Sequence, residues 1–234
     1  MALRTLLPAA VLACLSASTA AATPVDISVS DIATSTGVLH APGTIANNLL
    51  VDVGAVLITG SLGTFESYCV DLQHFITPGQ YQTDVDTMAN WNQFANPAPV
   101  SPTLGSGAAS WLYLNEGAIS AGNRRMEAAL QLAIWNALYD NDYSVSSGSG
   151  FWVTNLSNTL SIGLANGMLN DLKNYQTAHP NTPLVQATWL RTTDGPNHFS
   201  QDFIAPVAEP SAGLLLCVSL TAVLVSAHRR PRRA

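Results

Sequence analysis

Two apolar segments, one at each end of the 234-residue chain, leave residues 23–206 as the part that must build its own hydrophobic core. The first segment has a basic start at Arg4, an apolar stretch Thr5–Leu15 and a tract of small residues Ser16–Ala22. This order predicts a secretory signal peptide over residues 1–22, because it is too short and wrongly flanked for a membrane span. A lipoprotein cleavage box at Val11–Cys14 is the weaker alternative, since it leaves the small-residue tract without a role.

The second segment, Ala212–Ala227, consists of sixteen uncharged and mostly apolar residues followed by an arginine-rich tail. A transmembrane helix needs about 20 such residues, so this segment is slightly short but still predicts a membrane helix over 212–227. A basic cluster directly after a membrane helix keeps that end in the cytoplasm. The sequence therefore predicts export of residues 23–206 and anchoring in the inner membrane.

Just before this helix the chain reads Ala208-Glu209-Pro210-Ser211. The order of short motif, apolar helix and arginine-rich tail resembles the PEP-CTERM sorting signal of Gram-negative bacteria that produce exopolysaccharide, with Ala208 in place of the usual proline. The resemblance assigns residues 207–234 to a sorting segment with Glu209 and Pro210 as its motif. It implies that an exosortase is the processing partner and releases the body to the cell surface or extracellular matrix. An ordinary C-terminal anchor is the alternative.

The exported body is poor in charge and acidic. Charged residues make up 10% of the whole chain, against roughly 25% in a typical domain. Residues 23–205 carry four basic side chains against 14 acidic ones, hence a net charge of −10. A surface of this sign is repelled by phosphate backbones, so we expect no nucleic-acid partner.

Patterning within the body predicts strands over residues 24–85, helices over 106–177 and strands again over 183–205. Leu49–Val53 and Val56–Thr59, separated by Gly54-Ala55, have the pattern of a hairpin. Arg124–Asp140 carries apolar residues at spacings of three and four, and Asn123 is a candidate N-cap. Strands, a helical middle and strands again indicate an α+β fold, a β-sandwich or barrel with a helical insertion.

Only one cysteine, Cys69, lies within the exported body, because Cys14 and Cys217 fall in the two apolar ends. An internal disulfide is therefore excluded, although the predicted compartment would permit one. A lone free cysteine is most often a small buried apolar residue.

Two short motifs point to a second role for this cysteine. The chain reads Tyr68-Cys69-Val70-Asp71 and, sixty-two residues after the cysteine, Gln131-Leu-Ala-Ile-Trp135. The pair resembles the signatures of bacterial surface thioester domains of the TQxA family. The resemblance implies an internal thioester between Cys69 and Gln131. Trp135 lies four residues after Gln131 on the same helix face and can shield the bond, and Tyr68 is a second candidate shield.

The thioester resemblance implies an adhesin-like module that captures an amine or hydroxyl on a surface or matrix molecule. This bonding is single-turnover, so we do not expect an enzyme, and no cofactor or metal site is predicted. The first alternative is a non-covalent structural or carbohydrate-binding matrix protein, in which Cys69 is merely buried. For Gln131 itself, the alternative interpretation is a half-solvated residue at a helix boundary. The second is a cysteine hydrolase built on Cys69 and His74. The pair Asp84 and Asp86 lacks a calcium-loop pattern and fits a solvated turn.

Overall fold

A computed structural model describes residues 25–32, 35–91, 103–146, 150–195 and 198–206. The predicted signal peptide and the whole predicted sorting segment lie outside these residues. Within the described ranges, no helix combines the length and the apolar character needed to cross a membrane.

The described residues form ten strands and three α-helices. The strands are β1 Val25–Ile32, β2 Ser35–His40, β3 Leu50–Val53, β4 Val56–Gly60, β5 Gly63–Cys69, β6 Gly79–Thr87, β7 Trp152–Thr154, β8 Thr188–Gly195, β9 His198–Phe199 and β10 Phe203–Ala205. The helices are α1 Ser106–Ser120, α2 Arg124–Tyr139 and α3 Leu160–Ala178. A short 3-10 turn, Met88–Asn90, follows β6.

Six strands close into an antiparallel barrel. Their order is β10-β5-β4-β1-β6-β8, and a further pairing between β8 and β10 joins the two ends. The strand β9 pairs antiparallel with β8 and is not one of the six barrel strands. A separate three-stranded sheet has the order β3-β2-β7, with β2 in the middle. The α+β fold, with a barrel and a helical insertion, is therefore confirmed. The insertion also contains β7, which the sequence pattern did not predict.

The helix α2 lies between α1 and α3 and contacts both. Every residue from Glu127 to Tyr139 is buried. A helix that is covered on all sides normally has apolar residues on all sides, but α2 also buries Gln131 and Asn136. Buried amide groups need hydrogen-bond partners, and the partners of Gln131 define the site described below.

The predicted hairpin over Leu49–Thr59 is wrong. The strand β3 pairs with β2, whereas β4 pairs with β1 and β5, so the two segments belong to different sheets. Between them Gly54 has φ 145°, a backbone conformation that glycine adopts far more readily than other residues. The glycine directs the chain from the small sheet into the barrel instead of closing a two-residue turn.

The N-cap of α2 provides a test of the local sequence signals. The side chain of Asn123 accepts hydrogen bonds from the backbone N–H groups of Arg125 (3.2 Å) and Met126 (3.4 Å), as predicted. We expect Asn123→Ala to lower the free energy of unfolding by about 1 kcal/mol, because two helix N–H groups lose their acceptor. Urea denaturation of the full-length chain measures this change. Asn123→Asp keeps an acceptor and should stay near the wild type; equal loss in both variants would contradict the capping role.

Candidate functional site

Cys69 is the last residue of β5, at the point where that strand loses a neighbour. β10 continues alongside it, with Phe203 opposite Cys69. On the other side, β4 pairs with β5 only as far as Ser67, which lies opposite Val56. Alternate residues of a strand share a face, so the Cys69 side chain points to the same side of the sheet as Ser67 and Val56. Cys69 is buried, with 8% of its surface exposed.

The side chain of Gln131 occupies the position that the missing strand neighbour would take. The N–H of Cys69 donates to Oε1 of Gln131 (2.9 Å), and Nε2 of Gln131 donates to the Cys69 carbonyl oxygen (2.8 Å). The side-chain amide thus pairs with the cysteine backbone as another peptide group would in a sheet. Gln131 is 1% exposed, so its interpretation as a half-solvated boundary residue is wrong.

Two further side chains fix the segment that follows Cys69. The hydroxyl of Tyr139, at the end of α2, accepts from the N–H of Leu72 (3.1 Å) and donates to the carbonyl oxygen of Val70 (3.4 Å). Nε2 of Gln201 donates to the carbonyl oxygen of Asp71 (2.8 Å). The backbone from Cys69 to Leu72 is therefore held by hydrogen bonds from α2 and from the segment before β10.

A cavity of about 420 Å³ opens beside Cys69. Its polar wall combines the thiol-bearing residue with carboxyl, imidazole, hydroxyl and amide side chains: Thr36, Asp52, Cys69, Asp71, His74 and Gln201. The remaining wall is apolar or glycine: Ala46, Leu50, Val51, Gly54, Val56, Leu72, Phe75, Ile76 and Trp135. Among the described residues, no lysine or arginine lines the cavity.

Within this cavity Asp71 and His74 form a hydrogen-bonded pair. Nδ1 of His74 bonds to Oδ2 of Asp71, while Oδ1 of Asp71 accepts from the N–H of Gln73 (2.6 Å). In an extended strand, His74 would point away from Cys69, because the offset of five positions between them is odd. The strand ends at Cys69, and the turn after it brings His74 back to the wall that Cys69 lines.

The structure brings one of the two predicted shielding residues to the cavity. Trp135 is 2% exposed, lines the cavity and packs against Phe151 with ring centroids 6.2 Å apart. Its buried Nε1 has no hydrogen-bond partner in the described part of the chain. Tyr68 precedes Cys69 in the strand and so points to the opposite face. Its ring packs edge-on against Tyr113, 6.0 Å away, and Tyr68 does not line the cavity.

Burial controls the ionisation of the site. Burial and, to a smaller extent, the Asp71 carboxylate raise the pKa of the Cys69 thiol far above its usual range. Burial and the Asp71 carboxylate also raise the pKa of Asp202 to about 8. At neutral pH Asp202 therefore carries a proton. Burial also raises the pKa of the Asp71 carboxyl, and the hydrogen bond with His74 opposes that shift.

Sequence reasoning did not single out Tyr139 or Gln201. Tyr139 follows Gln131 by about two helical turns, and this spacing could have indicated a second contact from the same helix. Gln201 lies 130 positions after Asp71 along the chain, and no local pattern marks it.

No protein-family model matches the chain, and no curated protein or solved structure shows significant similarity to it.

The buried carboxyl of Asp202 predicts how stability depends on pH. An aspartate has a pKa near 3.9 when unfolded, so the unfolded chain releases this proton at lower pH than the folded chain, in which the pKa is about 8. We expect the free energy of unfolding to fall as pH rises from about 4 to 8. Urea denaturation across this range tests the slope. Asp202→Asn stays neutral and should show a shallower slope, whereas an identical slope in both proteins would contradict the assignment.

Proposed function

We propose that Cys69 and Gln131 condense to an internal thioester through which the protein captures a nucleophile on a partner molecule. The observation that carries this proposal is the reciprocal pair of hydrogen bonds between the Gln131 amide and the Cys69 backbone. The carboxamide is thereby held against the residue that bears the only thiol of the predicted exported body. Positioning of this kind replaces a bimolecular encounter with an intramolecular one.

The same hydrogen bonds suit the chemistry of condensation. The Cys69 sulfur attacks Cδ of Gln131, the C–S bond forms, the C–N bond breaks, and the nitrogen leaves as ammonia with the thiol proton. Negative charge develops on Oε1 during the attack, and the N–H of Cys69 already donates to that oxygen. A fixed donor at a developing oxyanion is a strong catalytic contribution in a dry site.

The surroundings also suit storage of a reactive bond. Cys69 and Gln131 are both buried, with 8% and 1% of their surfaces exposed. Trp135, one helical turn after Gln131, forms part of the cavity wall. Hydrolysis requires water at the carbonyl carbon, and bulky aromatic packing limits its access. Cys69 nevertheless lines the cavity, which provides a route for an incoming nucleophile.

The charge of the cavity favours an amine as that nucleophile. Asp52 and Asp71 line it, and no lysine or arginine does so among the described residues. Carboxylates attract an ammonium group and raise its local concentration. A primary amine on a surface or matrix molecule is therefore the proposed ligand, with a hydroxyl as the second choice. The product is an amide through the former Gln131, formed once per molecule, so the protein is not an enzyme.

The location of this capture is part of the proposal. We infer export through the signal peptide 1–22, temporary anchoring by the membrane helix 212–227, and cutting by an exosortase near Glu209-Pro210. The ligand would then be met at the cell surface or in the extracellular matrix. A thioester module is useful there because its partners lie outside the cell.

Two alternatives use the same residues differently. A matrix protein that binds its ligand non-covalently would keep Cys69 as a buried free thiol. A cysteine hydrolase is favoured by the placement of Cys69, Asp71 and His74 on one cavity. The raised pKa of the Cys69 thiol disfavours the hydrolase, because repeated nucleophilic attack needs a readily formed thiolate.

Intact-mass measurement of the folded protein tests the thioester directly. We expect the wild type to be lighter than its calculated mass by one ammonia, because condensation expels that molecule. Cys69→Ala should show the full mass. Gln131→Glu should also show the full mass, since a protonated glutamate can keep both hydrogen bonds to Cys69 but has no ammonia to lose.

The matched control is Gln201→Glu. Gln201 also lines the cavity with Cys69, but its amide bonds to Asp71. We expect this variant to keep the mass deficit of the wild type. A deficit lost in Gln201→Glu and kept in Gln131→Glu would transfer the acyl donor to Gln201. A full-mass wild type with a free, titratable Cys69 would leave the non-covalent alternative.

A further inference from the structure

We propose that His74 carries the proton during capture, taking it from the incoming nucleophile and delivering it to the Cys69 sulfur, while Asp71 holds the imidazole in place. This inference depends on the proposed thioester and adds a catalytic residue to it. The feature that carries it is the shared cavity, in which His74, its partner Asp71 and Cys69 form parts of one wall.

The hydrogen bonds around Asp71 fix the imidazole. Nδ1 of His74 bonds to Oδ2 of Asp71. The other carboxylate oxygen accepts from the N–H of Gln73 (2.6 Å), and the Asp71 carbonyl accepts from Gln201 (2.8 Å). In this proposal Asp71 is the ionised partner, and an ionised carboxylate only accepts hydrogen bonds, so Nδ1 carries the ring hydrogen and Nε2 holds the basic lone pair. The pair therefore selects the tautomer that can accept a proton at Nε2.

Capture creates a need for proton transfer at this position. When an amine attacks the thioester carbonyl, the C–N bond forms, the C–S bond breaks and the electron pair goes to sulfur. The amine nitrogen must lose one proton, and the sulfur must gain one to leave as a thiol. A proton moved from the nitrogen to Nε2 of His74 and then to the Cys69 sulfur balances the reaction without another reactant.

The burial of Cys69 makes this transfer important. The sulfur is released beside the Asp71 carboxylate, in surroundings that raise the pKa of the thiol. A bare thiolate is therefore a poor leaving group here, and protonation removes the penalty. Besides Cys69, the titratable groups that line the cavity are Asp52, Asp71 and His74. Imidazole is the best proton carrier among them, because its ordinary pKa lies near neutral pH.

The side chains of the pair are also placed for exchange with a ligand. The His74 side chain is 37% exposed, and that of Asp71 is 14% exposed. The imidazole can thus meet a nucleophile that enters from solvent, while its carboxylate partner stays mostly covered. This arrangement is typical of a base that is oriented from behind by a less exposed acid.

The test follows the reaction of the full-length protein with methylamine, measured as the gain in intact mass over time. We expect His74→Gln to form the thioester but to react about 100-fold more slowly, the lower range for general acid–base catalysis. Glutamine can donate to Asp71 but cannot accept and release a proton as imidazole does. His179→Gln is the matched control, because His179 lies at the end of α3 and does not line the cavity.

A second pair of variants separates proton transfer from a structural role. His74→Ala should be slow in the same way, and added imidazole should restore much of its rate by entering the space left at this part-exposed position. Asp71→Asn should also be slow, because the amide favours the opposite tautomer of His74, and imidazole should accelerate it less. A merely structural role for His74 would not respond to imidazole.

The outcomes distinguish this inference from the function on which it depends. A wild type without the mass deficit overturns both. If the wild type shows the mass deficit and the His74 variants react with methylamine at the wild-type rate, only the proposed role of His74 is overturned. Loss of the deficit itself in both folded His74 variants also overturns it, because that result would place His74 in formation of the bond.

Discussion

The pairing of the Gln131 amide with the backbone of Cys69 is the interaction on which the site depends. The barrel leaves the end of β5 without a β4 residue beside it, and a buried peptide group without a partner is costly. The helix α2 brings a buried amide that has the same need. Each group satisfies the other, at 2.9 Å and 2.8 Å. The requirement to satisfy buried polar groups thus brings the carboxamide to the cysteine.

The fold distributes the other tasks along α2 and the turn after β5. Trp135 contributes to the cavity wall, and Tyr139 at the end of the helix holds the backbone beyond Cys69. The turn supplies Asp71 and His74, which face the same cavity. Gln131, Trp135 and Tyr139 all belong to α2. A shift of this helix against the barrel would therefore disturb the amide pairing, the cavity wall and the hydrogen bonds of Tyr139 together.

Local rules predicted the parts of the structure that depend on local interactions. Asn123 caps α2 because a side-chain acceptor meets free N–H groups within one turn, and apolar spacing located the helix. The hairpin prediction failed because strand pairing depends on the whole sheet, and Gly54 leads to a different sheet. The predicted shielding role of Tyr68 conflicts with strand alternation, because consecutive residues of β5 point to opposite faces of the sheet and Tyr68 directly precedes Cys69. The contact between Cys69 and Gln131 was predicted from short motifs, since spacing alone cannot reveal a pair 62 residues apart.

The hydrolase alternative would use the same three side chains, Cys69, Asp71 and His74, and the raised pKa that burial gives the thiol disfavours it. A nucleophile that must turn over needs its thiolate in every cycle, and burial opposes that charge each time. In the proposed thioester the sulfur is acylated only once, so it needs only one difficult step, and the amide of Gln131 already contacts the Cys69 backbone. The burial of both residues would then protect the proposed thioester from water. The feature that weakens the cysteine as a recurring nucleophile is therefore the one that suits it to hold a single reactive bond.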